Sequence, residues 1–313
     1  MNAAPSPGAA PIGRRATVRV PASSANLGPG FDALGLALCL HDEASAQFAT
    51  ETWIEVSGAG TDTVPRDESH LVLRALRRGL AVSGESERGV HLRCHNAIPH
   101  GRGLGSSAAA ICAGLLLARA LADPNGERLD DAALLALAAQ MEGHPDNVAA
   151  CLLGGLTVAW TTGGTTGATR LRVHPDISPV VLIPADESST EVARGLLPES
   201  VPHADAAFNA ARAALLIAAL TADPAQLLTA TEDRLHQPYR AGSMPATAEL
   251  VAGLRDDGLA AVVSGAGPTV LVLCRSLAEV ARASAAPGTG WRVRALPVDV
   301  SGARVLGLEE VTT

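Results

Sequence analysis

Apolar and polar positions alternate from Ala16 to Val20, and this period of two predicts a strand running into the polar loop PASSANLGPGFD, Pro21 to Asp32. An apolar run from Ala33 to Leu40 follows, with strand-like segments at Ser45 to Phe48 and Trp53 to Val56. Together these predict an antiparallel sheet. The spacing then becomes helical at Leu71, Leu73, Leu76 and Leu80. A strand from Gly89 to Cys94 leads through Asn96 and Pro99 into a glycine loop, and Ser107 to Leu121 is apolar on nearly every face, as in a buried helix. A third helix, about Asp130 to Met141, stops at the polar island Glu142-Gly143-His144-Pro145-Asp146-Asn147. Apolar residues resume from Val148 to Leu153, and Leu156 to Trp160 reads as a strand. The threonine and glycine stretch Thr161 to Thr169 predicts a hinge or domain boundary.

In the second half, strands at Pro179 to Pro184, Ala260 to Val263, Thr269 to Cys274 and Trp291 to Leu296 alternate with helices near Thr190 to Leu196, Ala204 to Leu220, Ala246 to Asp256 and Leu277 to Ala283. That order predicts an α+β domain with a mainly antiparallel sheet. A last glycine loop, Ser264 to Thr269, joins two of its strands and is bare enough to face a ligand.

Composition narrows the function classes. A chain of 313 residues fits two domains of about 150 residues each, and two domains imply a cleft. The net charge of −8 and scattered arginines argue against a nucleic-acid surface, so a small-molecule substrate is expected. The five cysteines are widely spaced and lie mostly in apolar runs, which marks them as reduced core residues. Residues 1–16 have no apolar segment of a secretory signal and are expected to be a disordered tail. With no run approaching 18 apolar residues, a cytoplasmic protein without a membrane span is expected.

The candidate chemistry centres on Pro99 to Ala110, PHGRGLGSSAAA. Gly101, Gly103 and Gly105 leave backbone N–H groups open to an anion, and the following helix adds its own unpaired N–H groups and positive dipole end. All 24 basic residues are arginine, which excludes both the P-loop and the protein-kinase lysine. Ser106 and Ser107 can cap the helix or bind a phosphate oxygen or Mg²⁺. Glu142 stands at a helix end, where the dipole disfavours a carboxylate unless a cation is near. His144, Asp146 and Asn147 fit either a helix cap or a site. Asn26 and Asp32 can read an ammonium group, and Arg194 and Arg240 can clamp a carboxylate. A serine hydrolase is excluded because Ser106-Ser107 lacks a GxSxG frame.

Three segments in this order, PASSANLGPGFDALG, PHGRGLGSSAAA and SGAGPT, resemble the signature motifs of the GHMP kinases, the family of galactokinase, homoserine kinase, mevalonate kinase and phosphomevalonate kinase. EGHPDN, STEVARGLLP around Arg194 and HQPYR ending at Arg240 are similar to the branch that phosphorylates homoserine. The resemblance implies a two-domain α+β architecture. Residues 17–165 would form an ATP-binding domain with a left-handed βαβ unit, and residues 166–313 a ferredoxin-like domain. It implies ATP and Mg²⁺ as cofactors, L-homoserine as acceptor, O-phosphohomoserine for threonine synthesis as product, and a homodimer. ATP would lie on Pro99, His100, Gly101, Arg102, Gly103, Leu104, Gly105, Ser106, Ser107, Ala108 and Ala109, and the metal at Ser106 or Ser107 with Glu142. Asn26 and Asp32 would hold the amino end, Arg194 and Arg240 the carboxylate, with Asn147, Asp146 and His144 near the reacting hydroxyl. His70 departs from the asparagine expected before Leu-Val at the adenine. A kinase for another small alcohol and a catalytically silent binder are the competing readings, and intact glycines, Ser106, Ser107 and Glu142 argue against the second.

Overall fold

A computed structural model of the chain describes residues 12–85, 88–186 and 190–310. The chain begins with β1 (Ile12–Ala25), β2 (Leu34–Ala49), β3 (Trp53–Gly58), α1 (Leu71–Val82), β4 (Gly89–Asn96), α2 (Ser106–Ala122), α3 (Asp131–Glu142), α4 (Asp146–Leu153), β5 (Leu156–Thr162) and β6 (Thr165–Leu171). It continues with β7 (Ser178–Pro184), α5 (Thr190–Gly195), α6 (His203–Thr221), α7 (Leu227–Ala230), α8 (Gln237–Arg240), α9 (Pro245–Asp256), β8 (Ala261–Val263), β9 (Val270–Cys274), α10 (Leu277–Ala285), β10 (Trp291–Ala295) and β11 (Arg304–Glu310).

The first sheet runs β11-β1-β2-β4-β3, with the β5–β6 hairpin attached to β2. The two apolar segments on either side of His41 are one strand, because Asp42 is buried there as the acceptor of the Ala97 and Ile98 N–H groups. β3 and β4 pair in parallel with α1 between them, so one βαβ unit interrupts the antiparallel pattern expected from the sequence. α1 and α2 cross closely because both carry glycine at the contact. A Cβ on Gly114 would stand 2.3 Å from the Val72 carbonyl oxygen, and one on Gly79 2.5 Å from the Ala118 methyl.

The second sheet is antiparallel in the order β10-β7-β9-β8. Numbered by their place in the chain its strands lie 4-1-3-2, the ferredoxin-like arrangement. Successive β7 residues face opposite sides: Val181 and Ile183 join the large core shared with the first sheet, and Val180 and Leu182 pack with Leu254 and Val272 on the other side. Each such fully buried aliphatic side chain contributes roughly 1.5–3 kcal/mol, so the shared core ties the two sheets into one body. α6 is long and apolar enough to cross a membrane by length and composition. Here Asn209 on α6 is buried, donating to the Pro29 carbonyl and accepting from the Arg234 N–H, which docks the helix against the first polar loop.

Three expectations change. Of the tail placed at 1–16, residues 1–11 lie outside the described residues, while β1 already starts at Ile12 because β2 and β11 pair with it. The boundary expected within Thr161 to Thr169 is the turn of the β5–β6 hairpin, so a division between residues 165 and 166 would cut paired strands. The end of the chain does not stay with the second sheet either, since β11 returns to pair with β1.

Candidate active site

Three loops from distant parts of the chain are stitched together by their backbones. The Ser23 N–H donates to the Leu104 carbonyl (3.1 Å) and the Gly265 N–H to the Ala25 carbonyl (3.0 Å). The Ser264 hydroxyl, fully buried, lies 2.8 Å from the Ser24 hydroxyl and 2.6 Å from the Gly103 carbonyl. Glycine is required where they meet. Gly103 and Gly105 have φ of +70° and +69°, and a Cβ would stand 2.2 Å from the Ser264 carbonyl oxygen and 2.1 Å from the Ser23 Oγ respectively. Gly105 precedes α2, whose N-terminus has no side-chain cap and no acidic residue in its first turn. The serines therefore do not cap it, and the first N–H groups of a long buried helix remain available to an anion beside the glycine loop.

These loops line a cavity of about 250 Å³. On its α3–α4 wall Ser107 donates to Glu142 Oε2 at 2.7 Å. Burial pushes the Glu142 carboxyl above its ordinary pKa against the pull of that hydrogen bond. His144 Nδ1 lies 2.6 Å from Asp146 Oδ1, which also accepts the Asn147 N–H. Burial works against a charged His144 ring, and the Asp146 hydrogen bond and charge outweigh it, so the His144 pKa is raised. Asn147 Oδ1 accepts from the buried Ser23 hydroxyl at 2.9 Å.

Two arginines complete the opposite wall. Arg194 pairs with Asp32 through both terminal nitrogens, at 2.6 and 3.1 Å, and this hydrogen-bonded pair raises the arginine's pKa. Arg240 is only 2 % exposed and has no carboxylate within 4 Å among the described residues. Its Nε donates to the Ala193 carbonyl and its Nη1 to His236 Nδ1, while burial, with Arg194 nearby, depresses its pKa. Phe31 lies beneath both guanidinium groups, its ring centre 5.8 Å from Arg194 and 5.5 Å from Arg240. A second cavity, of about 280 Å³, shares Ser106 and Ser107 with the first and is lined by His70, Asn96 and His100. Neither ring nitrogen of the buried His70 has a hydrogen-bond partner, and burial lowers its pKa, favouring the neutral ring.

Residues 70–155 match the GHMP kinases N terminal domain and residues 206–291 the GHMP kinases C terminal domain. The chain is 56% identical to a homoserine kinase of Streptomyces avermitilis over 93% of its own length and 95% of that protein. It is 51% identical to one of Clavibacter michiganensis, over 95% and 96% of the two chains. The chain belongs to the GHMP kinase family. Among solved structures it resembles the homoserine kinase of Cytophaga hutchinsonii (TM-score 0.82, 26% identity, 93% and 97% of the chains covered). It also resembles a putative homoserine kinase of Listeria monocytogenes (TM-score 0.74, 30% identity, 93% and 99% covered).

In this GHMP kinase Asn26, Asp32, Gly101, Arg102, Gly103, Gly105, Ser106, Ser107, Glu142, His144, Asp146, Asn147, Arg194 and Arg240 all line the first cavity. Several do so in ways their spacing did not suggest. The Asn26 amide braces the loops, donating to the Gly265 carbonyl and accepting the Asp32 N–H, which makes it a positioning group. Arg102 sends its guanidinium to the Pro184 and Ala185 carbonyls and so ties the glycine loop to β7. Leu104, Ala108 and Ala109 are core side chains. Sequence reasoning assigned no role to Ser23, Phe31, Ser264 or His236. All four sit inside motifs it quoted, and their proximity to the signature glycines, or to Arg240, was the available signal.

Proposed function

We propose that this GHMP kinase is a cytoplasmic homoserine kinase, which transfers the γ-phosphoryl group of ATP to the hydroxyl of L-homoserine and makes O-phospho-L-homoserine for threonine biosynthesis. The observation that carries the reading is Arg240, a buried guanidinium without a carboxylate partner among the described residues, in the same cavity as the glycine loop. A buried cation of this kind calls for an anion from the substrate. Asp32, held against Arg194, offers the complementary charge for an α-ammonium group, which mevalonate and galactose lack. The close similarity to homoserine kinases supports the same acceptor.

The phosphates of ATP lie on the glycine loop and the uncapped start of α2, where fixed backbone donors meet them without reorganising. The purine occupies the second cavity, where the neutral His70 ring offers one donor and one acceptor nitrogen. Ser107 and Glu142 supply two adjacent oxygens, the second from a carboxylate that burial has left short of counter-charge. This fits Mg²⁺, which needs only one or two protein oxygens beside phosphates. When bound there, Mg²⁺ neutralises phosphate charge. Asn147, fixed by Ser23, orients the acceptor hydroxyl, with Asp146 and His144 as the titratable pair on that wall. Transfer through a loose transition state draws its rate mainly from this alignment. Coupled ADP release with homoserine, threonine, serine, mevalonate and galactose tests the reading. Turnover confined to homoserine is expected. Turnover only with another alcohol removes the amino-acid pocket, and ATP binding without turnover on any of the five removes the enzyme.

A further inference from the structure

His236 lies just before α8, wholly buried, four residues ahead of Arg240. Its Nε2 is 2.8 Å from the Gly28 carbonyl oxygen, which can only accept, so that nitrogen carries the ring proton. Asp233 Oδ2, at 3.4 Å from the same nitrogen, supports this tautomer. Its Nδ1 is 3.3 Å from Arg240 Nη1, which can only donate, so Nδ1 presents a lone pair. A second ring proton would set N–H against N–H. The ring stacks on Phe31 with centres 5.2 Å apart, and Phe31 carries the faces of both arginines. Among the described residues Arg240 has one other hydrogen-bonding anchor, the Ala193 carbonyl on its Nε. The two anchors engage Nε and Nη1 and leave Nη2 outside them.

We infer that His236 is a positioning residue for the acceptor's carboxylate: as the Nε2–H tautomer it hangs from Gly28 and aims the Arg240 guanidinium into the cavity. This rests on the homoserine kinase reading. Asp233, Arg240 and Asp32 are the charged groups bearing on the ring. Burial, with Arg240, opposes its protonation and outweighs Asp233, Asp32 and the Gly28 hydrogen bond, so the pKa is lowered, in keeping with the lone pair that Arg240 requires at Nδ1.

The test uses two acceptors, L-homoserine and 2-aminobutane-1,4-diol, which replaces the carboxylate by a hydroxymethyl group. For His236→Leu the KM for homoserine should rise about tenfold, the loss expected for one hydrogen bond to a charged group. The KM for ATP should not change, and kcat/KM for the diol should stay within about twofold, as that acceptor never used the clamp. His236→Gln, whose amide can donate to Gly28 and accept from Arg240, should keep the homoserine KM within about threefold of wild type. If the leucine variant does not fold, the glutamine variant decides on the same two acceptors. Equal fold-losses on homoserine and the diol, or a matching rise in the ATP KM, overturn the assignment. Wild-type protein that leaves homoserine unphosphorylated overturns the functional reading and this inference with it, a result distinct from normal wild-type turnover with equal losses in the variants.

Discussion

Gly105→Ala tests the junction between phosphate loop and acceptor wall. The new Cβ would stand 2.1 Å from Ser23 Oγ and 3.1 Å from Asn147 Oδ1, at a residue with φ +69°. Holding alanine in that left-handed conformation costs about 1–2 kcal/mol. The clash displaces the Ser23 hydroxyl and breaks its bond to Asn147, adding about 0.5–1.5 kcal/mol. Stability should therefore fall by roughly 1.5–3.5 kcal/mol, a Tm loss of about 2–5 °C for a chain of 313 residues. The kinetic effect should be larger, because the first turn of α2 and the Asn147 amide both shift. A displacement of about 1 Å at reacting groups costs on the order of 10²-fold in rate. Thermal melts and steady-state kinetics measure both, and a double-mutant cycle with Ser23→Ala isolates the clash. Removing Oγ should make the double variant more stable than the sum of the two single effects predicts. Strict additivity, or a Gly105→Ala enzyme with wild-type kcat, would refute the packing argument.

Arg240→Ala should raise the KM for homoserine about 10- to 150-fold, from the loss of a charge-assisted contact worth about 1.5–3 kcal/mol. An equal rise for ATP would remove Arg240 from the acceptor site. Glu142→Gln should lower kcat and raise the Mg²⁺ concentration needed for half-maximal rate, and an unchanged Mg²⁺ titration would remove Glu142 from the metal. Burial raises the Asp42 carboxyl from 3.8 to about 6 despite its two backbone hydrogen bonds. The folded state therefore holds this proton between those values while the unfolded chain has lost it. Its contribution to stability falls as pH rises from about 4 to 6 and is a constant penalty of order 3 kcal/mol above that. Asp42→Asn should thus gain stability relative to wild type between pH 4.5 and 7.5 in urea titrations, and a difference independent of pH would refute the shift. His70→Leu should raise the KM for ATP while leaving that for homoserine, since it removes both free ring nitrogens from the second cavity.

Much of this was legible in the sequence because it depends on local periodicity and backbone freedom. The all-apolar face of Ser107 to Leu121 allowed only a buried helix, and α2 spans Ser106–Ala122. The order of strands and helices after Pro179 matched the ferredoxin-like sheet, and the glycines at 101, 103 and 105 announced a bare loop before that helix. What stayed hidden are relations between residues far apart in the chain. No window around Thr165 shows that its strand pairs with β5 in the first sheet, or that residues 304–310 travel back to β1. Asn26 and Asp32 read as an ammonium site from their loop, yet the Asn26 amide braces Gly265, 239 positions away, and Asp32 meets Arg194. Arg240 looked like any arginine until the fold buried it, and His236 acquired its tautomer only when Gly28 came within 2.8 Å. Composition and spacing determined which elements form and where chemistry-bearing residues lie along the chain. Hydrogen-bond direction, burial and charge pairing belong to the tertiary structure, because each depends on which distant atom becomes the neighbour.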